Sequence, residues 1–162
     1  MANIVWKEAP GLYDSIVAAG HSVVHYSTGT VADDPVAVQA IINAYDPFPL
    51  VRAAKWEEIK SERDRRQGLG VRVGGSMFHS DDKSRIQQLG LVMMGSAVPA
   101  GLQWKTMDGT FVTMTQGLAA QVFAATAASD QAIFAAAEAH RDAMLISADP
   151  AAYDFSAGWP EL

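Results

Sequence analysis

The stretch "WKTMDGTFVTM", Trp104–Met114, alternates large apolar and polar side chains on both sides of Asp108-Gly109. Asp-Gly favours a two-residue type I′ turn, whose twist matches that of the strands it joins. The stretch therefore predicts a β-hairpin. In that register Leu102, Trp104 and Phe111 share a face with Thr106 and Thr113. Met107, Val112 and Met114 take the other, beside Gln103, Lys105 and Thr110. Both faces are then partly apolar, so one is expected to meet the chain's own helices and the other a second protein.

Upstream, "GLGVRVGGSMFHS" repeats the theme, with Gly74-Gly75 as the turn. Leu69, Val71, Val73 and Phe78 fall on one side, and Arg72, Met77 and His79 on the other. Each hairpin is followed by an apolar helical segment. In "DDKSRIQQLGLVMMGSAV", Ser80 or Asp81 can cap the start. Ile86, Leu89 and Met93 form a row that Leu91, Val92 and Met94 widen, so this helix is expected to be buried on much of its girth. Gly90 and Gly95 weaken it unless another backbone comes close. The alanine-rich run from Gly117 to Ile146 reads as one long helix or as an αα-hairpin broken at Ser129-Asp130. A hairpin and a helix, twice over, predict an α+β fold: a small antiparallel sheet of two Gly-centred hairpins covered by helices.

Earlier in the chain, "HSVVHYSTGTV" reads as a strand turning at Gly29, after a short strand and a short helix. "DDPVAVQAIINAYDPFP" is a helix capped by Asp33 or Asp34, with Pro35 at its first position. Pro47 and Pro49 are expected to end it and to mark a boundary. The next helix is of another kind. Its apolar stripe is thin (Ala53, Trp56, Ile59), and Glu62–Arg66 and Lys60–Asp64 are expected to pair along it. A helix so polar is expected to bury little in its own domain, and to serve as a spacer or associate with copies of itself. The division that follows is a strand/helix region over 1–49, a charged connecting helix over 50–67, a hairpin-helix-hairpin-helix domain over 68–147, and an aromatic tail over 148–162. In that tail Tyr153, Phe155 and Trp159 are the candidate anchors, docking on their own domain or on a neighbour.

Composition narrows the chemistry. The chain is 49% hydrophobic with net charge -6, which supports a packed core and argues against nucleic-acid binding. It has no cysteine, which removes disulfides and thiolate metal sites. No apolar run is long enough to span a membrane and no signal peptide is evident, so the expectation is a soluble chain made in a cytoplasm. Six of the twelve basic residues lie between Arg52 and Arg66, whereas from Thr106 onward Arg141 alone stands against seven acids. This split either orients a partner or marks separate solvated surfaces. His21 and His25 are a weak metal pair, and His79-Ser80-Asp81-Asp82 is better explained by helix capping than by a triad. No catalytic residue, cofactor or metal is expected.

The run from about Trp56 to Met144, with "GVRVGGSMFHSDDKSR" and "WKTMDGTF" as its most specific parts, resembles an uncharacterised domain found in tailed-bacteriophage tail and tail-fibre proteins and their short accessory proteins. That resemblance implies a virion or virion-assembly setting and no reaction. The expected function is a non-enzymatic tail protein that binds the tail-fibre or receptor-binding apparatus, as a virion component or an assembly chaperone. It would be made in the host cytoplasm and could be kept in the tail. Trp104, Phe111, Val112 and Met114 would form the sheet surface, and Tyr153, Phe155 and Trp159 the anchors. The expected partner is a tail-fibre or other tail protein, with homo-oligomers as a further expectation and neither nucleic acid nor membrane as a partner. The alternatives are a small hydrolase of host surface polymers using Asp81 and Asp82, and a spacer self-assembling through the Val51–Arg66 helix.

Overall fold

A computed structural model describes residues 3–161; Met1, Ala2 and Leu162, the ends of the expected N-terminal region and tail, lie outside the described residues. The fold is α+β, with five α-helices and small antiparallel sheets of two or three strands among the described residues. The chain divides into two compact units, residues 3–55 with 148–152 and residues 56–147 with 153–161.

The first unit holds β1 (Asn3–Ile4), α1 (Leu12–Ala18), β2 (Val23–Tyr26), β3 (Gly29–Ala32) and α2 (Pro35–Ala44). Its antiparallel sheet runs β1-β3-β2, with Val24 opposite Val31 and Asn3 opposite Val31. Alternation sends Ile4, Val23 and Ala32 inward, where they meet Leu12, Ile16, Val38 and Ile42 from the helices. The Asp34 carboxylate accepts the amide hydrogens of Val36 and Ala37 at 3.1 and 3.0 Å, and Pro35 sits in the first turn, where no partner is needed for its nitrogen. The helix stops at Ala44. α3 (Phe48–Gln67) then begins almost at once, with the Asp46 carboxylate accepting the Phe48 amide at 2.9 Å. Pro49 lies in the first turn of α3, which its fixed φ suits, so the prolines separate two helices by three residues. The two units part further on, within α3 at Lys55.

The second unit contains the rest of α3, then β4 (Val71–Val73), β5 (Ser76–Phe78), α4 (Asp82–Met94), a short 3-10 turn at Gly95–Ala97, β6 (Gln103–Lys105), β7 (Phe111–Thr113) and α5 (Gln116–Leu145). The β4–β5 hairpin has the expected register, Val71 opposite Phe78 and Val73 opposite Ser76. Its turn is carried by Gly74 and Gly75 at φ 57 and 87, the two positive values a type I′ turn requires.

The β6–β7 hairpin departs from expectation by one residue. Thr106 donates its amide to the Thr110 carbonyl at 2.9 Å, Gly109 donates to Thr106 at 3.0 Å, and Gly109 has φ 86. This is a three-residue loop ending in a left-handed glycine, which adds a bulge to the turn. Asp108 selects it: its carboxylate accepts the Thr110 amide at 3.0 Å and hydrogen bonds from both threonine hydroxyls. The extra residue pairs Trp104 with Val112 and Lys105 with Phe111. A shift of one turns a strand over. Trp104, Val112 and Met114 therefore share the inner face, while Gln103, Lys105, Phe111 and Thr113 face outward. The hairpin's outer face is polar apart from Phe111. The two hairpins remain separate two-stranded ladders, tied by the Met107 amide donating to the Met77 carbonyl at 2.9 Å.

Val71, Phe78, Leu91, Met114, Ala119 and Val122 make the main core of this unit. α5 is one continuous helix of 30 residues, so the break at Ser129-Asp130 does not occur. Its start is capped by Thr115, whose hydroxyl accepts the Leu118 amide at 3.1 Å. α3 runs antiparallel along it: Trp56 lies by Arg141, Arg63 by Phe134 and Gln67 by Asp130. No helix among the described residues is long and apolar enough to cross a membrane.

Candidate functional site

The residues expected to form a partner surface are mostly closed to one. Met114 is 1% exposed, and Trp104 and Val112 are half-buried against the same core. Their inward position follows from the register shift. Phe111 alone of that set faces solvent, at 62% exposure. Tyr153, Phe155 and Trp159 are brought together as a cap over Trp56, Ile59, Ala137 and Met144 of their own unit. Between docking on the chain itself and docking on a neighbour, the structure shows the first.

The tail cap is organised around His140 on α5. The His140 Nδ1 lies 3.0 Å from the Tyr153 hydroxyl, and the Trp159, Tyr153 and Phe155 rings surround the imidazole at 5.0, 6.0 and 6.5 Å between centroids. A Cβ on Gly158 would stand 3.3 Å from the ring, so a glycine permits this approach. The Trp159 indole donates to the Phe155 carbonyl at 2.7 Å and holds the tail's own turn. Ile59, fully buried, fits under this cap. The polar helix α3 thus buries Ile59 and part of Trp56 in this unit, while Ala53, the first residue of its thin stripe, stays exposed.

The basic cluster on α3 covers rings. Arg66 lies 5.0 Å from the centroid of Trp159, Arg63 4.8 Å from Phe134 and Lys60 5.9 Å from Trp56. From α5, Arg141 stacks on Trp56 at 5.1 Å. Cations over aromatic faces are attracted by the ring quadrupole, and their stems cover apolar surface. Glu62 receives both Arg65 and Arg66, at 2.6–2.7 Å; the hydrogen bonds from Arg65, then those from Arg66, hold its carboxyl below the usual range. Lys60 pairs with Glu57 at 2.6 Å and Asp64 with Arg63 at 2.6 Å, so the expected Lys60–Asp64 bridge is replaced by nearer partners.

A second polar constellation joins α3, α4 and α5. Arg85 makes a bidentate contact with Asp130, and also donates to the carbonyls of Gln67 (3.0 Å) and Ser80. Gln67 donates to Asp130 at 3.2 Å. The Ser80 hydroxyl donates to the Gln67 carbonyl at 2.5 Å and accepts the Gly70 amide at 2.9 Å. The Arg85 pKa is raised above its ordinary value, first by the hydrogen bonds it donates to Asp130. These groups border an open cleft of about 450 Å³ lined by Asp64, Gln67, Gly68, Ser80, Asp81, Asp82 and Arg85.

The chemistry this cleft can perform is limited by how its groups are engaged. The Ser80 hydroxyl is engaged by the Gln67 carbonyl and the Gly70 amide. Asp81 is the cap of α4, accepting the Ser84 hydroxyl at 2.7 Å and its amide at 3.1 Å, and these two bonds set its lowered pKa. His79 lines a different recess with Gln103, Trp104 and Lys105. At the other end of the chain His25 bonds Thr30 at 2.8 Å and His21 lies 3.4 Å from Asp33. Among the described residues no three His, Asp or Glu side chains gather as metal ligands.

Among the exposed apolar side chains of the described residues, two groups each share a face. In the first unit Val24 and Tyr26 project from the outer face of the edge strand β2, Tyr26 at 61% exposure. In the second, Ile86, Leu89, Met93 and Met94 stand out from α4, with Ile86 at 72% and Met93 at 79% exposure. The expectation that the row Ile86–Leu89–Met93 is buried is thus overturned: Gln88 and Leu91 face α5 and the core instead. Sequence reasoning missed this face because apolar residues occur all around α4 and the pattern does not say which side is covered.

A helix-covered pair of hairpins, cross-braced by an arginine–aspartate clamp and closed by an aromatic tail, defines an α+β domain whose open features are a polar cleft and exposed apolar side chains. The chain belongs to a family described as a domain of unknown function (DUF4376), which matches residues 50–157. That span begins within the first turn of α3 and ends inside the aromatic tail. No curated protein matches the chain, and no solved structure does.

Proposed function

We propose that the chain is a non-enzymatic tail component of a tailed bacteriophage, made in the host cytoplasm, that binds the tail-fibre or receptor-binding apparatus as a virion part or an assembly chaperone. The phage setting comes from the sequence resemblance over "GVRVGGSMFHSDDKSR" and "WKTMDGTF". The observation that carries the binding role is the outer face of the first unit's sheet. β2 is an edge strand with unpaired main-chain groups on one side and with Val24 and Tyr26 exposed on its outer face. Such an edge accepts a strand from a partner, with main-chain hydrogen bonds giving affinity and alternate side chains giving choice. Residues 1–49, which carry this face, lie outside the family match.

The test is co-purification with the fibre protein encoded beside it, for the wild type and for Val24→Asp/Tyr26→Asp. The double variant is expected to lose the complex at unchanged thermal midpoint, since both side chains are already solvated. Retention of the complex would remove this face from the reading. Failure of the wild type to bind any tail protein, together with its absence from particles and assembly intermediates, would end the reading itself.

A further inference from the structure

We propose that the recess beside Trp104 binds a sugar ring that carries a carboxylate. The recess lies in the second unit, where the two hairpins part. Their neighbouring edges, β5 and β6, are tied by the Met107 amide donating to the Met77 carbonyl, and beyond that tie they do not pair. The opening holds about 290 Å³ and is lined by His79, Ser84, Gln87, Gln103, Trp104 and Lys105. That volume is near the lower end for small-molecule sites. The β6 side presents main chain as well as side chains. Met114 donates its amide to Leu102 at 2.7 Å and Thr106 to Thr110 at 2.9 Å, so Trp104, midway between, also bonds across to its partner Val112. Alternation then turns the amides and carbonyls of Gln103 and Lys105 to the opposite edge, toward the recess. Trp104 lines the recess while packing on the core, which holds its ring in place before any ligand arrives.

The polar groups of the recess are free for a ligand. Among the described residues the side chains of His79, Gln87 and Lys105 have no hydrogen-bond partner. None of the chain's 18 acidic residues lines the recess; Asp81, which bonds Ser84, stays outside it. These features select the ligand. An aromatic face attracts the weakly positive C–H groups of a sugar ring, the amides and main-chain groups bond its hydroxyls, and one ammonium matches one carboxylate. A polyphosphate would meet a single lysine here, in a chain of net charge -6. An extended peptide would be stopped by the tie at Met77 and Met107, just past His79 and Lys105. The recess lies within the span matched by the family and uses no residue of β2, so this proposal and the fibre-binding reading can each fail alone.

Magnetic-resonance titration of the full chain tests it, following the Trp104 indole and the amides of His79 and Lys105. The probes are trigalacturonate as the acidic sugar, maltotriose as the neutral one, and tricarballylate as a carboxylate without a ring. Trigalacturonate is expected to shift these signals with Kd at or below about 1 mM, and the other two to bind at least about tenfold more weakly. Lys105→Met and Gln87→Ala, both at exposed positions, are expected to weaken trigalacturonate by at least about tenfold and about threefold, at unchanged thermal midpoint. Lys83→Met, which removes an α4 cation outside the recess, should leave binding as it was. No shift with trigalacturonate, equal binding of maltotriose or tricarballylate, or equal weakening by Lys83→Met would each overturn the proposal.

Discussion

α3 and α4 each carry an apolar stripe of three or four residues, and the structure treats them in opposite ways. α3 is the more polar helix, yet Trp56 and Ile59 are covered, by α5 and by rings arriving from the far end of the chain. α4 is the less polar, yet Ile86, Leu89 and Met93 are bare. Charge count along a helix does not decide what it buries. On α3 the charges help the covering, because Lys60, Arg63 and Arg66 lie over aromatic faces. On α4 a buried glutamine, Gln88, occupies the inward face and donates to the His79 carbonyl at 2.7 Å.

The contrast predicts a strong asymmetry under mutation. The largest effect should come from ending the chain after Ala152. Loss of Tyr153, Phe155 and Trp159 uncovers Ile59 and Met144, and should destabilise the second unit by about 4 kcal/mol in a urea titration. A change below about 0.5 kcal/mol would mean that the tail is not part of this unit's core and that the comparison is mistaken.

Next comes Arg85→Ala, which unties α4 from α5 and from the end of α3. Removing one partner of a buried pair costs about 3–5 kcal/mol, but Arg85 and Asp130 are each about a quarter exposed, and about 2 kcal/mol is expected here. If Arg85→Ala and Asp130→Ala each cost this much while the double variant costs little more, the two act as one clamp. Simple additivity would show that they do not.

The smallest of the three is the cap of α4. Asp81→Ala should cost about 1 kcal/mol near neutral pH. The hydrogen bonds from the Ser84 hydroxyl and amide hold Asp81 below its ordinary value near 3.8 in the folded chain. The unfolded chain therefore takes up the proton first as pH falls. The advantage of Asp81 over alanine is complete above about pH 5 and disappears as pH drops through the lowered folded value. In urea titrations of both proteins the gap should be constant from pH 7 to about pH 5 and shrink as pH falls below the ordinary value near 3.8. A gap that stays constant below it would assign the cap to something other than the ionised carboxylate.

Much of the local structure was legible from the residues. Gly74-Gly75, Asp34-Pro35 and Asp81 carry their backbone consequences with them, and each acts within a few residues. The hairpin at Trp104–Met114 was legible as a hairpin, yet its register was not. Asp-Gly suits two loops that differ by one residue, and the choice rests on Asp108 bonding Thr110 and both threonine hydroxyls. That choice moved Met114 and Val112 into the core and emptied the expected partner surface. The open cleft beside Ser80 and Asp81 was likewise beyond reach, because Asp64 and Gln67 at the end of α3 and Arg85 on α4 approach it from two separate helices.

The chain's composition and spacing determined an α+β fold of Gly-centred hairpins and helices, since turn and cap preferences act between near neighbours. Only the tertiary structure decided which face of α4 is bare, where the aromatic tail docks, and that one helix of 30 residues spans the second unit. Those outcomes depend on contacts between residues far apart in sequence, and side-chain periodicity marks an apolar side without naming what will cover it.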